Sequence, residues 1–260
     1  MNHKEGLRAG TLVASFLSQS VFYGMQYPQN CNARSFCIAG LLTAAGYSIL
    51  IFLFGCLPMS YNKILRWSLH LYAAVAAGIT VCQALALPGQ TFSGSAGWLL
   101  LFFVVMLLQR PSAKALNSTG WVLRWFAAGA VILLVVGVYD QLEWRRLSFA
   151  LPLPLWLPLC FYPEYLAAAM MQSALQQKRF CLLPFADCAV RSLFVLLTEL
   201  VFGTALADQL AHGELLRVWG LGIFSRFDSF LLLVWLMLAL LRVMVLAYLA
   251  RDGIKERSVT

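Results

Sequence analysis

The chain has 260 residues, of which 61% are hydrophobic and only 12% are charged, and its formal net charge is +8 at pH 7. Soluble domains carry about 25% charged residues, so this chain has too few to cover a surface that faces water. Its positive charge is scattered between apolar runs without a basic, aromatic-rich patch, which favours membrane topology signals over nucleic-acid binding. The seven cysteines form no Cys-x-x-Cys pair, and most lie in apolar runs as expected for buried free thiols.

Apolar runs recur along the sequence, and each is close to the length of about 20 residues that a helix needs to cross a bilayer. The alternating segments of a membrane β-barrel are not seen, so helices are the predicted way to satisfy the backbone in lipid. We therefore predict an all-α integral membrane protein with a single domain, residues 1–260, and about eight transmembrane helices. The predicted helices are residues 9–27, 36–57, 67–87, 94–108, 121–138, 149–171, 184–207 and 227–250. Pro58 and Pro88 are predicted to end the second and third of them.

Lysine and arginine residues divide the predicted loops into two sets, and this division predicts the orientation. One set of alternate segments contains all five lysines, together with Arg8, Arg66, Arg110, Arg179, Arg251 and Arg257. The other set contains only arginines, which are Arg34, Arg145, Arg146 and Arg217, with Arg226 at a helix edge. Because short cytoplasmic loops are enriched in lysine and arginine, the first set is predicted to be cytoplasmic. Both termini then lie in the cytoplasm, which requires an even number of helices.

The first and sixth predicted helices both contain residues that break helices within the membrane. Gly24 and Pro28 lie toward the outer end of the first, and the sixth contains Pro152, Pro154, Pro158 and Pro163. Many secondary transporters consist of two inverted repeats whose corresponding helices are broken, and the freed backbone groups bind substrate near the midplane. Helices one and six correspond in a five-plus-five repeat. The alternative is that the prolines only kink their helices, which lipid-embedded helices tolerate.

Glu164 follows Pro163 near the middle of the sixth predicted helix. An ionisable side chain is costly there and usually faces a bundle interior or a water-filled cavity. Pro163 cannot donate a helical hydrogen bond, which leaves a carbonyl group one turn earlier free. A carboxyl group beside broken backbone is how a site for an amine, a proton or water could be built. The alternative is a protonated glutamic acid that is hydrogen-bonded to a neighbouring helix.

The seventh predicted helix carries Asp187, Arg191 and Glu199 on one arc, given a rotation of about 100° per residue. Asp187 and Arg191 have the i,i+4 spacing of a helical ion pair, for which a structural role is predicted. Glu199 lies deeper and has no evident partner on its own helix, so it is a candidate cavity-lining group. Arg242 lies about two turns from the cytoplasmic end of the eighth predicted helix, where snorkelling would satisfy its side chain.

The remaining polar residues within the apolar runs carry a simpler prediction. Gln19, His70 and Gln83 stand singly and are predicted to form hydrogen bonds between helices. The sequence contains no catalytic motif, no nucleotide-binding glycine pattern and no pair of carboxylates spaced for hydrolysis. It therefore predicts neither an enzyme nor a cofactor or metal site.

The stretch from Gly222 to Phe230, Gly-Ile-Phe-Ser-Arg-Phe-Asp-Ser-Phe, followed by an apolar helix with Trp235 and Tyr248, is the most informative motif. Other motifs are Gln26-Tyr27-Pro28, the segment Asn30–Pro58, Glu164 in the broken sixth helix, and Leu200-Val201-Phe202-Gly203. In their order and spacing they resemble the spore germination permease family, the B subunits of germinant receptors. That family belongs to the amino acid/polyamine/organocation transporter superfamily. With eight predicted helices, the chain resembles a truncated five-plus-five inverted-repeat, LeuT-like transporter fold.

The resemblance implies a permease-like membrane subunit of a spore germinant receptor, which senses an amino acid or similar small nutrient in the spore inner membrane. It implies a second membrane subunit and a lipoprotein as partners. The ligand site is expected between the first and sixth helices, and its residues are Gly24, Tyr27, Pro28, Pro163 and Glu164. Two alternatives stay open: a secondary transporter of a small amino compound in a vegetative membrane, and a non-transporting scaffold whose pocket has decayed.

Overall fold

The computed structural model describes residues 7–23, 32–56, 59–91, 104–105, 111–148, 159–170, 180–203 and 227–252. Within these ranges the chain is helical and contains no strand, which confirms the all-α prediction. The α-helices are α1 (Ala9–Tyr23), α2 (Ala33–Gly55), α3 (Met59–Thr91), α4 (Ala113–Val138), α5 (Pro163–Met170), α6 (Leu183–Phe202) and α7 (Phe227–Asp252). Two short 3-10 helices, Tyr139–Gln141 and Trp144–Arg146, follow α4.

Four helices in the described part of the chain are long and apolar enough to cross a membrane. Their candidate spans are Ala33–Gly55, Lys63–Leu85, Ala113–Gln141 and Leu233–Arg251, in α2, α3, α4 and α7. They support a multi-pass membrane protein. The described part of α1 has 15 residues, fewer than the about 20 that a crossing needs, and α6 carries three ionisable residues. The eight crossings and the inverted repeat stay predictions.

The outer faces of α2, α3 and α4 are lined with large apolar side chains that the described part of the protein leaves exposed. A soluble protein rarely exposes a contiguous apolar surface of this kind. In a bilayer the same side chains contact lipid tails, so this surface is consistent with a membrane environment. Its members include Leu42, Ile49, Leu53, Ile64, Trp67, Leu71, Trp121, Trp125 and Ile132.

The third helix is longer than the sequence predicts, because Pro88 does not end it. α3 begins at Met59 rather than at Trp67, and it continues through Pro88 to Thr91. A proline inside a helix removes one N–H donor, but membrane helices accommodate this loss through local adjustment of the backbone. The predicted end at residue 87 is therefore wrong. The predicted fourth helix, residues 94–108, lies outside the described residues except for 104–105, which are helical.

α4 begins well before the predicted start at Trp121. Ser112 caps its N-terminus, and the Ser112 hydroxyl oxygen accepts a hydrogen bond from the backbone N–H of Ala115 at 3.3 Å. The sequence predicts a later start because Asn117 begins a run of three polar residues, which is typical of a loop. In the structure Asn117 is buried against α1, where its Oδ1 accepts a hydrogen bond from the Thr11 hydroxyl at 2.8 Å.

The sixth predicted helix, residues 149–171, is predicted with breaks at its prolines, and residues 159–162 before Pro163 are indeed not helical. α5 begins at Pro163, and residues 149–158 lie outside the described part of the chain. Proline fixes its own φ near −65° and lacks an N–H, which suits the first position of a helix, and it disfavours helical backbone in the residue before it. Pro163 therefore occupies the first position of α5.

α1 and α5 lie at the centre of the bundle. Every residue from Pro163 to Ala169 is buried, and α1 contacts α4, α5, α6 and α7. Phe16 of α1 stacks on the Tyr162 ring with centroids 6.4 Å apart, and it packs edge-on against Tyr165 at 6.0 Å. The described parts of the first and sixth predicted helices are thus direct neighbours.

Candidate functional site

Glu164 is fully buried at the first turn of α5, and its two carboxylate oxygens have different surroundings. Oε1 accepts a hydrogen bond from the Ser15 hydroxyl of α1 at 2.9 Å, and it lies 2.8 Å from Nε of Arg242. Oε2 has no hydrogen-bond partner among the described residues. A buried acceptor left without a donor costs about 1–3 kcal/mol. Oε2 is therefore available to a donor supplied by a ligand.

Arg242 of α7 is the partner of Glu164, which corrects the prediction that it snorkels to the membrane surface. Its side chain is only 3% exposed. Besides its ion pair with Glu164, it donates from Nη1 to the Thr80 hydroxyl of α3 at 3.3 Å. The sequence indicates this pair only by placing two ionisable residues of opposite charge in two different apolar helices. Nothing in the sequence placed them at the same depth.

Asp187 and Arg191 form the predicted i,i+4 ion pair on α6. Arg191 Nε lies 2.8 Å from Asp187 Oδ1, and both side chains are at most 1% exposed. The Tyr165 hydroxyl of α5 donates to Asp187 Oδ2 at 3.2 Å. The pair is therefore tied to the helix that carries Glu164.

Tyr162 connects the two ion pairs. The Cζ atom of Arg242 lies 5.0 Å from the centroid of its ring, and the Cζ atom of Arg191 lies 5.5 Å from the same centroid. Cation–π attraction acts at these distances and is strongest away from water. We define the charge cluster as the four ionisable residues with the two tyrosines that join them: Glu164, Asp187, Arg191, Arg242, Tyr162 and Tyr165.

The non-helical segment before Pro163 has two of its carbonyl groups satisfied by tyrosines. The Tyr47 hydroxyl of α2 donates to the Leu159 carbonyl at 2.7 Å, and the Tyr72 hydroxyl of α3 donates to the Phe161 carbonyl. Non-helical backbone at membrane depth needs such protein partners. These two carbonyls are therefore occupied, whereas Glu164 Oε2 has no partner among the described residues.

Glu199 lies apart from the charge cluster, near the C-terminal end of α6. Its Oε2 accepts from the backbone N–H of Ala33 at 2.5 Å, and its Oε1 accepts from the backbone N–H of Ser148 at 2.7 Å. Glu199 thus joins the start of α2 to the segment that leads toward the sixth predicted helix. α6 ends three residues later at Phe202, before the predicted residue 207, and the Gly203 that follows has a φ of 74°, which favours glycine.

Replacing Glu199 with Gln is expected to destabilise the protein by about 1.5–3 kcal/mol, the range for hydrogen bonds to a charged group. Glutamine has a single acceptor oxygen, so one of the two backbone N–H groups would face an NH2 group. Thermal unfolding in detergent measures the loss. The matched control is Glu143→Gln, because Glu143 is 59% exposed in its ion pair with Arg146 and should change stability little. Equal behaviour of the two variants would contradict this structural role.

Three of the predicted ligand residues, Gly24, Tyr27 and Pro28, lie outside the described residues, so their proximity to Glu164 stays a prediction. Two interhelical hydrogen bonds expected from the sequence are present. Gln19 of α1 donates to Gln83 of α3 at 3.1 Å. His70 of α3 lies 2.7 Å from the Ala250 carbonyl of α7 through its Nδ1.

Comparison of the chain with protein-family models, with curated proteins and with solved structures found no significant match. In the part of the chain that the structure describes, no group of three or more His, Cys, Asp or Glu side chains is placed to hold a metal ion. The charge cluster is the most distinctive chemical feature of this part.

Proposed function

We propose that the chain is a permease-like membrane subunit of a spore germinant receptor and senses an amino acid or a similar small nutrient. The observation that carries the proposal is the open acceptor Oε2 of the fully buried Glu164, which lies beside α1 and just after the non-helical residues 159–162. An ammonium group of the nutrient would supply the missing donor. The resemblance to spore germination permeases supports the same position for the ligand.

In this proposal the ligand lies between the first and sixth predicted helices. Its contacts are Gly24, Tyr27, Pro28, Pro163 and Glu164. The protein resides in the spore inner membrane with both termini in the cytoplasm. It acts together with a second membrane subunit and a lipoprotein.

The charge cluster argues against the alternative of an inert scaffold. Removing ionisable groups from water is costly, and apolar residues of similar size often give equal or greater stability. A scaffold without a ligand could replace the four ionisable residues, which are at most 3% exposed, with apolar ones at little or no cost in stability. Their presence supports a role that requires charge.

Germination of a deletion strain against a panel of nutrients tests the proposed function. We expect the strain to lose its response to one nutrient or to a small group, and the intact gene on a plasmid to restore it. Unchanged germination on every nutrient would contradict the proposal. Uptake of the same nutrient by vegetative cells would favour a secondary transporter instead. Neighbouring genes for the two partner subunits would support the receptor.

Reporter fusions test the proposed orientation. Fusions at Ser60, Gln90, Ser112 and His212 should alternate inside, outside, inside and outside. Ser60 and Gln90 lie near opposite ends of the 33-residue α3, about 45 Å apart at 1.5 Å per residue, so they report opposite sides of the bilayer. A reporter that is external at Ser112 would overturn the scheme.

A further inference from the structure

The formal charges of the charge cluster cancel. Two carboxyl groups, Glu164 and Asp187, are paired with two guanidinium groups, Arg242 and Arg191, all at most 3% exposed. A net charge added to such a site has no counter-ion and little water, so its desolvation is not compensated. A compound whose own charges cancel avoids that cost. The site therefore discriminates ligands by net charge.

Arg242 is held in place while Glu164 keeps one oxygen open. Its guanidinium group contacts Glu164 Oε1 and the face of the Tyr162 ring at the start of α5, and the Thr80 hydroxyl of α3. Because Ser15 and Arg242 both contact Oε1, a donor placed at Oε2 would compete with neither of them. The positive charge of Arg242 thus stays beside a bound ligand.

We propose that Arg242 determines the specificity of the site: its charge balances Glu164 and restricts ligands to compounds without net charge, excluding cationic amines. This inference rests on the proposed function, because it assumes that the ligand binds at Glu164. Without the Arg242 charge, Glu164 would be an uncompensated buried anion and would favour a monocation. Without the Glu164 charge, Arg242 would favour a monoanion.

The test uses spores with the complete receptor and three probes that share one side chain and the carbon that carries it. The probes are the amino acid identified by the nutrient panel, its decarboxylated amine and its deaminated acid; for alanine they are ethylamine and propionate. Wild type should respond to the amino acid alone. Arg242→Gln should respond to the amine at a concentration at least about tenfold lower than wild type requires, a change that corresponds to one charge-assisted contact. Glu164→Gln should show the corresponding gain for the acid.

The control variant is Thr80→Val, which removes a hydrogen bond from Arg242 but leaves its charge, so the ranking of the probes should not change. Membrane abundance is measured for every strain. If one charge variant is absent from the membrane, the probe ranking of the other variant tests the inference. If the charge variants rank the probes as wild type does, the inference is overturned. It is also overturned if both variants are absent from the membrane, because the Glu164–Arg242 pair would then be purely structural. A wild type that responds to the amine or the acid as well overturns the inference alone. A deletion strain that keeps its response to every nutrient of the panel overturns the proposed function.

Discussion

Glu164→Leu is expected to abolish the germination response, whereas Glu164→Gln shifts the nutrient concentration that is needed. Leucine removes both the charge and the acceptor oxygens, so neither an ammonium group nor any other donor has a partner at this position. Glutamine keeps the shape and one acceptor oxygen but loses the charge. Because hydrogen bonds to charged groups contribute about 1.5–3 kcal/mol, the shift should be roughly tenfold to a hundredfold. Dose-response germination measures it, with membrane levels determined in parallel.

The ion pair with Arg242 makes a second variant necessary. Glu164→Leu leaves Arg242 buried without its carboxylate, and breaking a buried pair in this way costs about 3–5 kcal/mol, so the single variant can lose abundance as well. Glu164→Leu combined with Arg242→Leu removes both charges and should restore the protein level without restoring the response. If the Gln and Leu variants are present at normal levels and respond like wild type, Glu164 has no part in the site and the proposed pocket is wrong.

Asp187→Ala is expected to lower the amount of protein in the membrane severely. The change leaves Arg191 as a buried cation in the centre of the bundle, and the expected cost of about 3–5 kcal/mol is a large part of the stability of most proteins. It also removes the acceptor of the Tyr165 hydroxyl. Quantitative immunoblotting of membranes measures the effect.

The double change Asp187→Ala with Arg191→Leu should partly restore the level, because no unpaired charge remains. A matched control is Glu143→Ala, which breaks an exposed i,i+3 ion pair with Arg146 and should leave abundance near normal, since exposed pairs contribute about 0–1 kcal/mol. A double variant no more abundant than Asp187→Ala would show that the two residues do not stabilise the protein as a pair.

Local features of the sequence were sufficient where the interaction involves neighbouring residues. Composition alone predicted helices in lipid, because no water-facing surface can be made from so few charged residues. The Asp187–Arg191 pair followed from i,i+4 spacing, which depends only on helix geometry. The prolines of the sixth predicted helix predicted a break near Glu164. The structure was needed to locate that break, because a proline can either kink a helix or begin one.

Only the tertiary structure decided which distant groups meet. Arg242 is 78 positions from Glu164, and Glu199 is 166 positions from Ala33, so no helical period relates them. Each helix has a rotation and a depth that are set by packing against its neighbours, and a shift of one residue would point Arg242 away from Glu164. The sequence by itself therefore determined that the buried charges need partners, since an isolated charge in an apolar interior is too costly. The packing of α1, α3, α5 and α7 brings Ser15 and Arg242 to Glu164 Oε1 and leaves Oε2 without a partner among the described residues.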